Sequence, residues 1–113
     1  MENKKIYSLV VAILNRGFAD IAMSAARNAG AKGGTVISAK SSGLHEEQTF
    51  FGISILPEKE LVLILSTEET KAPIMRAIIK HVGIETEGGG IIFSLPVTDV
   101  EGIKAFEDFS KKQ

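Results

Sequence analysis

The chain has 113 residues, and its content of 44% hydrophobic and 24% charged residues is typical of a globular domain with one core. Thirteen Lys and Arg residues against fourteen Asp and Glu residues give a net charge of −1, which argues against nucleic acid as a partner. Because cysteine is absent, disulfides, thiolate metal sites and a cysteine nucleophile are excluded.

No apolar run approaches the ~20 residues that a membrane-spanning helix needs, and the N-terminal segment lacks the pattern of a signal peptide. Pro, Gly and Ser do not cluster into a linker between domains. We therefore expect a single cytoplasmic domain over residues 1–113 that is not itself a membrane protein.

The first half of the chain is predicted to form a strand, a helix and a second strand. Residues 6–14 are rich in β-branched and aliphatic side chains, as in a largely buried strand. Asn15 then offers a side chain that can cap a helix, Gly30 stands where that helix would end, and a second strand is expected over 33–39. The apolar stripe expected on the helix consists of Phe18, Ile21, Ala22, Ala25 and Ala29.

The second half is predicted to repeat this order. Residues 57–60 are expected to form a turn before a strand over 61–65, and a glycine run precedes a strand over 91–93. Between these strands, Ser66 or Thr67 can cap a helix that ends at Gly83. The apolar stripe expected on this helix consists of Ile74, Met75, Ile78, Ile79 and Val82.

This order of elements predicts an α+β, ferredoxin-like βαββαβ fold, a four-stranded antiparallel sheet with two helices on one face. Ile103, Phe106 and Phe109 recur at intervals of three, which predicts a short C-terminal helix within 102–109. The strand segments VVAIL and LVLIL are apolar on both sides, more than a sheet with one solvated face requires. We therefore expect a homo-oligomer in which sheets stack on one another.

Glycine is concentrated around 33–43 and in the run 88–90. Such backbones can approach a ligand closely and offer N–H groups to an anion, although glycine alone is more typical of simple turns. Neither cluster matches a phosphate-binding loop or a dinucleotide fingerprint.

Residues that could carry catalysis are scattered along the chain. The serines have no evident base beside them, and His81 is expected to face a helix dipole. His45, next to Glu46 and Glu47, could bind a metal but is more typical of a solvated loop. We therefore do not expect an enzyme.

Phe50 and Phe51 form an aromatic pair in an otherwise polar loop. One ring could fold onto the body of the domain, and the other could be presented to a partner or a ligand, since aromatic residues are favoured anchors at interfaces. The sequence around this pair does not favour either interpretation over the other.

These features resemble the PII family of signal-transduction proteins, small trimeric regulators of nitrogen and carbon metabolism. Residues 30–43 resemble the glycine and threonine pattern that leads into the family's mobile T-loop. Leu56 and Pro57 match the approach to the third strand, and residues 88–93 resemble the B-loop and the strand after it. The resemblance extends from Ile6 to about Val100.

The resemblance implies a homotrimer that binds a small-molecule effector, an adenine nucleotide, between subunits, with no covalently bound cofactor. It also implies that the loop 44–57 takes a shape read by a target enzyme or membrane transporter, in nitrogen regulation. The implied partner-binding residues of this loop are Leu44, His45, Phe50 and Phe51. The implied ligand contacts are Gly34, Thr35, Ser41, Ser42, Gly43, Gly88, Gly89 and Gly90.

The chain departs from the family pattern where phosphate groups are usually held. Leu44, Ile91 and Glu58 stand where the family commonly has cationic residues, and the arginines that usually follow the fourth strand are missing from 97–102. Tight binding of ATP is therefore not expected, and a less charged nucleotide, such as AMP or a cyclic form, or some other metabolite would be the ligand instead. Two other classes remain open, a small ferredoxin-like isomerase or oxygenase and a metal-binding trimeric stress protein that would use His45.

Overall fold

The computed structural model describes residues 6–42 and 48–103 of the chain, with six strands and two helices. The strands are β1 (Tyr7–Asn15), β2 (Thr35–Lys40), β3 (Gln48–Phe50), β4 (Ile53–Ile55), β5 (Glu58–Thr67) and β6 (Ile91–Val97). The helices are α1 (Ala19–Asn28) and α2 (Glu68–Val82).

Four strands form one antiparallel sheet in the order β2-β5-β1-β6, and β3 and β4 pair separately as a hairpin. Alternate residues of β1 and β5 join α1 and α2 in one core, so both helices cover the same face of the sheet. The α+β, ferredoxin-like fold is therefore confirmed. The core consists of Val10, Ala12, Leu14, Ala19, Ala22, Met23, Ala26, Val62, Ile64, Ile74, Ile78 and Val82.

Two strands, β5 and β6, are longer than the sequence indicated, and β5 shows why. Residues 58–60 are charged and follow a proline, yet they pair with β2 and extend the strand. Glu60 has a structural task there, because its Oε1 accepts hydrogen bonds from the backbone N–H of Gly17 at 3.1 Å and of Ala19 at 3.0 Å. The carboxylate therefore satisfies N–H groups at the beginning of α1, which have no partner within the helix.

The predicted cap of α1 was consequently wrong. The helix begins at Ala19 after Phe18, with no side-chain hydrogen bond at the cap, and the side chain of Asn15 binds elsewhere. By contrast, Thr67 caps α2 as predicted, through reciprocal hydrogen bonds with Thr70.

The helical stripes were correct except at one residue in each helix. Ala22 and Ala25 of α1 are buried, and so are Ile74, Ile78 and Val82 of α2. Ile21 and Ile79 are instead exposed, and the buried face of α1 also includes Ala19, Met23 and Ala26, which the predicted stripe omitted.

The sheet face opposite the helices is almost entirely apolar. On β6 it carries Ile91, Phe93 and Leu95, all exposed, and on β2 it carries Ile37, which is also exposed. Side chains of β1 and β5 lie between these two edges. We refer to this surface as the open sheet face.

The chain after β6 leads back across the sheet, since Gly102 and Ile103 lie beside Thr35 and Leu63. No helix forms between residues 98 and 103, and the remainder of the predicted C-terminal helix lies outside the described residues. Within the described ranges, no helix has the length and apolar character needed to cross a bilayer.

Replacing a core side chain tests the assignment of the two faces. Ile64 is fully buried against the helices, so Ile64→Ala should lower the free energy of unfolding by ~2–5 kcal/mol. Ile84→Ala, at an exposed position, should change it by less than ~0.5 kcal/mol. Urea denaturation of both variants at one protein concentration would measure the difference, and similar losses would contradict the proposed core.

Candidate functional site

The glycine loop, residues 83–90, connects α2 to β6, and its glycine run is required by close packing. A Cβ at position 88 would lie 2.8 Å from Val82 Cβ, and one at position 90 would lie 2.7 Å from Leu14 Cδ2. Gly89 adopts a φ of 56°, in the left-handed region that favours glycine. The run is therefore explained by the fold, whether or not a ligand binds there.

The amide groups of this run donate hydrogen bonds to acceptors in the loop and at the end of α2. Gly88 donates to Thr86 Oγ1 at 3.1 Å, Gly89 to the Thr86 carbonyl at 3.0 Å, and Gly90 to the Val82 carbonyl at 2.8 Å. In this conformation the three N–H groups do not form a nest for an anion. A ligand here would meet mainly Cα hydrogens and carbonyl oxygens.

Asn15, at the end of β1, joins the glycine loop to the central strands. Its backbone N–H donates to the Gly88 carbonyl at 2.9 Å, and its side-chain Nδ2 donates to the Glu87 carbonyl at 2.9 Å. Its Oδ1 accepts a hydrogen bond from Lys59 Nζ at 2.8 Å. The sequence predicted no role of this kind, because the partners are distant along the chain.

The base of the loop 44–57 is closed by backbone pairing. Lys40 stands opposite Glu58, and the Ser41 N–H donates to the Pro57 carbonyl at 2.9 Å. Ser42 is exposed next to this closure. Three predicted site residues, Gly43, Leu44 and His45, lie outside the described residues, as do Glu46 and Glu47, the other residues of the metal-binding alternative.

The second part of the same loop is a hairpin of β3 and β4. Phe50 pairs with Ile53, and the turn between them has φ values of 53° at Phe51 and 79° at Gly52. Two consecutive positive φ values are typical of a type I′ turn, which matches the twist of the strands. Phe51 is 90% exposed at the tip, so its ring does not fold onto the body of the domain.

Gly34 and Thr35, at the start of β2, border an open depression of ≈ 320 Å³. Leu63 and Leu65 of β5 also line it, as does Ile103 of the C-terminal segment. A Cβ at position 34 would lie 2.9 Å from Met23 Sδ and 3.0 Å from the Leu63 carbonyl, so the backbone approaches β5 closely. The lining of the depression is more apolar than polar, and it includes Lys32.

The structure places the predicted ligand contacts in three separate locations. Gly34 and Thr35 lie at the start of β2, whereas Ser41 and Ser42 lie past its other end. The glycine run lies before β6, at the opposite edge of the sheet but at the same end as Ser41. Three spacings of ~4.8 Å separate the edge strands, about 14 Å in all. One chain therefore does not bring these sets into contact.

Positive charge near the loop base is largely paired with neighbours. Arg16 Nη1 lies 3.0 Å from Glu58 Oε1, and Lys59 binds Asn15. Lys40 is exposed beside them. His81 Nδ1 lies 2.9 Å from the Ala77 carbonyl within α2, which agrees with its expected structural role. Within residues 6–42 and 48–103, no cluster of three or more His, Asp or Glu side chains could hold a metal.

This arrangement defines a class of small ferredoxin-like protein in which a loop containing a β-hairpin follows one edge strand and a glycine loop precedes the other. The model of the nitrogen regulatory protein P-II family matches residues 7–107, most of the chain. The chain therefore belongs to this family of signal-transduction regulators, whose members are regulators and not enzymes. A search of curated proteins found no match.

Gly89→Ala tests the packing of the glycine loop. The added Cβ would lie 2.7 Å from Asn15 Nδ2 at a positive φ, so we expect the free energy of unfolding to fall by more than ~1 kcal/mol. Gly33→Ala is the matched control, since its Cβ would meet no atom within 4 Å. Equal unfolding midpoints for the two variants would contradict the role assigned to Gly89.

Proposed function

We propose that the protein is a homotrimeric PII-like regulator that binds an adenine nucleotide between subunits and controls a partner enzyme or membrane transporter in nitrogen regulation. The observation that carries this proposal is the separation of the candidate contacts at opposite edges of one sheet. A cyclic assembly would bring the β2 edge of one subunit to the β6 edge of the next, which a single chain cannot do.

The open sheet face supports the proposed assembly. Phe93 and Leu95 of β6 and Ile37 of β2 expose apolar surface to solvent in the isolated chain. Burying apolar surface stabilises an interface by about 25 cal/mol per Å² before the costs of association are counted. Stacking of this face against its copies in a trimer would remove that surface from water.

The chemistry of the candidate site supports a base with little phosphate charge. Leu63 and Leu65 offer an apolar floor beside Thr35, whose hydroxyl and backbone could fix the orientation of a base. At the loop base, Arg16 is already paired with Glu58. We therefore favour AMP or a cyclic nucleotide over ATP, with Ser41, Ser42, Gly43 and Gly88 to Gly90 as further contacts.

The hairpin of β3 and β4 supports the role of the loop 44–57 in contacting a target. Phe51 is presented at its tip, and Ile53 and Ile55 are exposed on one face of β4. Aromatic and aliphatic side chains at a projecting tip suit an apolar recess on the target protein. Bound nucleotide would select among conformations of this loop, and the target would in turn alter nucleotide affinity.

Phe93→Glu tests the assembly. A charge in the middle of an apolar interface would be desolvated without a partner, so the variant should elute as a monomer at concentrations where the wild type is trimeric. Ile79→Glu, on the exposed side of α2, is the control and should leave the trimer intact. Size-exclusion chromatography with light scattering would measure the masses, and a trimeric Phe93→Glu would exclude this interface.

Nucleotide binding is tested by thermal stability with ATP, ADP, AMP and cyclic AMP. A ligand at 100 times its Kd stabilises the folded state by ~2.7 kcal/mol, and we expect the largest shift from AMP or cyclic AMP. Thr35→Val should reduce that shift, whereas Ser38→Ala, on the opposite side of β2, should preserve it. No shift with any of the four nucleotides would refute the proposed ligand class.

A further inference from the structure

Asn15 contacts the glycine loop and the strand that follows the loop 44–57. Its side chain bridges the Glu87 carbonyl in the glycine loop and the Lys59 ammonium on β5, which begins directly after the loop 44–57. We propose that Asn15 and Lys59 form a positioning pair that couples the conformation of the glycine loop to the base of the loop 44–57. This inference deepens the proposed function and rests on it for its biological meaning.

The two hydrogen bonds of the Asn15 side chain depend on one orientation of its amide. Oδ1 accepts from Lys59, which only donates, and Nδ2 donates to the Glu87 carbonyl, which only accepts. A flipped amide would oppose donor to donor and acceptor to acceptor. Lys59 therefore holds the amide in the orientation that binds the glycine loop.

From Lys59 the contacts continue to the loop base along β5. Lys59 stands opposite Ala39 of β2, and its neighbour Glu58 accepts a hydrogen bond from the Arg16 N–H at 3.3 Å. Pro57, the next residue back, accepts the Ser41 N–H that closes the base. A displacement of Lys59 would thus act on the segment that sets how the loop 44–57 begins and ends.

Gly89 provides the contact through which the glycine loop can act on Asn15. A single added carbon at position 89 would lie 2.7 Å from Asn15 Nδ2, so movement of the loop toward β1 displaces that amide. A ligand that presses on the glycine run from a neighbouring subunit would apply such a displacement. The pair would then transmit it across β1 to β5.

Amide hydrogen exchange at Ser41 tests the coupling without any nucleotide. The Cβ added by Gly89→Ala displaces the Asn15 amide in place of a ligand. We expect this substitution to lower the protection factor of the Ser41 N–H at least ~5-fold, which is the smallest effect typical of two coupled sites. In a Lys59→Met background the same substitution should change that protection less than ~2-fold. In a Lys40→Met background, where the removed ammonium is not bonded to Asn15, the full effect should remain.

A second variant keeps the test decisive if Gly89→Ala disturbs folding. Asn15→Asp preserves an acceptor for Lys59 but replaces the Nδ2 donor by a carboxylate oxygen that repels the Glu87 carbonyl. It should lower Ser41 protection in the wild type and leave it unchanged in the Lys59→Met background. Equal effects in both backgrounds would overturn the coupling, because a purely structural role predicts additive changes.

The two proposals fail in distinguishable ways. If nucleotides shift the melting temperature but the Ser41 effects are additive, the ligand site stands and the positioning pair does not. If the effects depend on Lys59 but no nucleotide binds, the coupling stands and the proposed ligand class is wrong.

Discussion

β1 is hydrogen-bonded along both sides, to β5 from Tyr7 to Asn15 and to β6 from Tyr7 to Ile13, and the rest of the molecule is arranged around this double pairing. With β2 paired to the far side of β5, the edges of the sheet are β2 and β6. The loop after β2 and the glycine loop before β6 therefore lie apart. The double pairing also directs alternate β1 side chains to the helices and the others to the open sheet face. One strand thereby sets both the buried core and the surface available for assembly.

Local sequence patterns were enough to predict both helices and the four strands of the main sheet, because apolar spacing and turn residues act over a few positions, but they did not predict the β3–β4 hairpin. They were not enough for contacts between distant segments. Asn15 was predicted to cap α1, yet its side chain binds the Glu87 carbonyl. Glu60, in a stretch expected to precede the strand, instead accepts the hydrogen bond from the first N–H of α1. Both errors arise from hydrogen bonds that only the folded sheet brings together.

That the candidate residues bind a ligand stays a prediction, and the contacts that surround them could not be predicted from the sequence. Motif resemblance identified the glycine run, whereas the structure shows that Gly88 and Gly90 are also required by Val82 and Leu14 packed against them. No residue pattern revealed that the amides of Gly88 and Gly89 donate to the hydroxyl and carbonyl of Thr86, or that the amide of Gly90 donates to the carbonyl of Val82 at the end of α2. A glycine motif therefore indicates a backbone path, and the acceptors around it decide what chemistry remains available.

Because the candidate contacts are divided between two sheet edges, the number of complete ligand sites would depend on the amount of protein made. In the proposed trimer each binding cleft belongs to two chains, so an isolated subunit possesses no receptor at all. Receptor number would then rise more steeply than subunit number near the concentration at which subunits associate. The level of gene expression would then itself be an input to the proposed sensor, alongside the metabolite that we propose it binds.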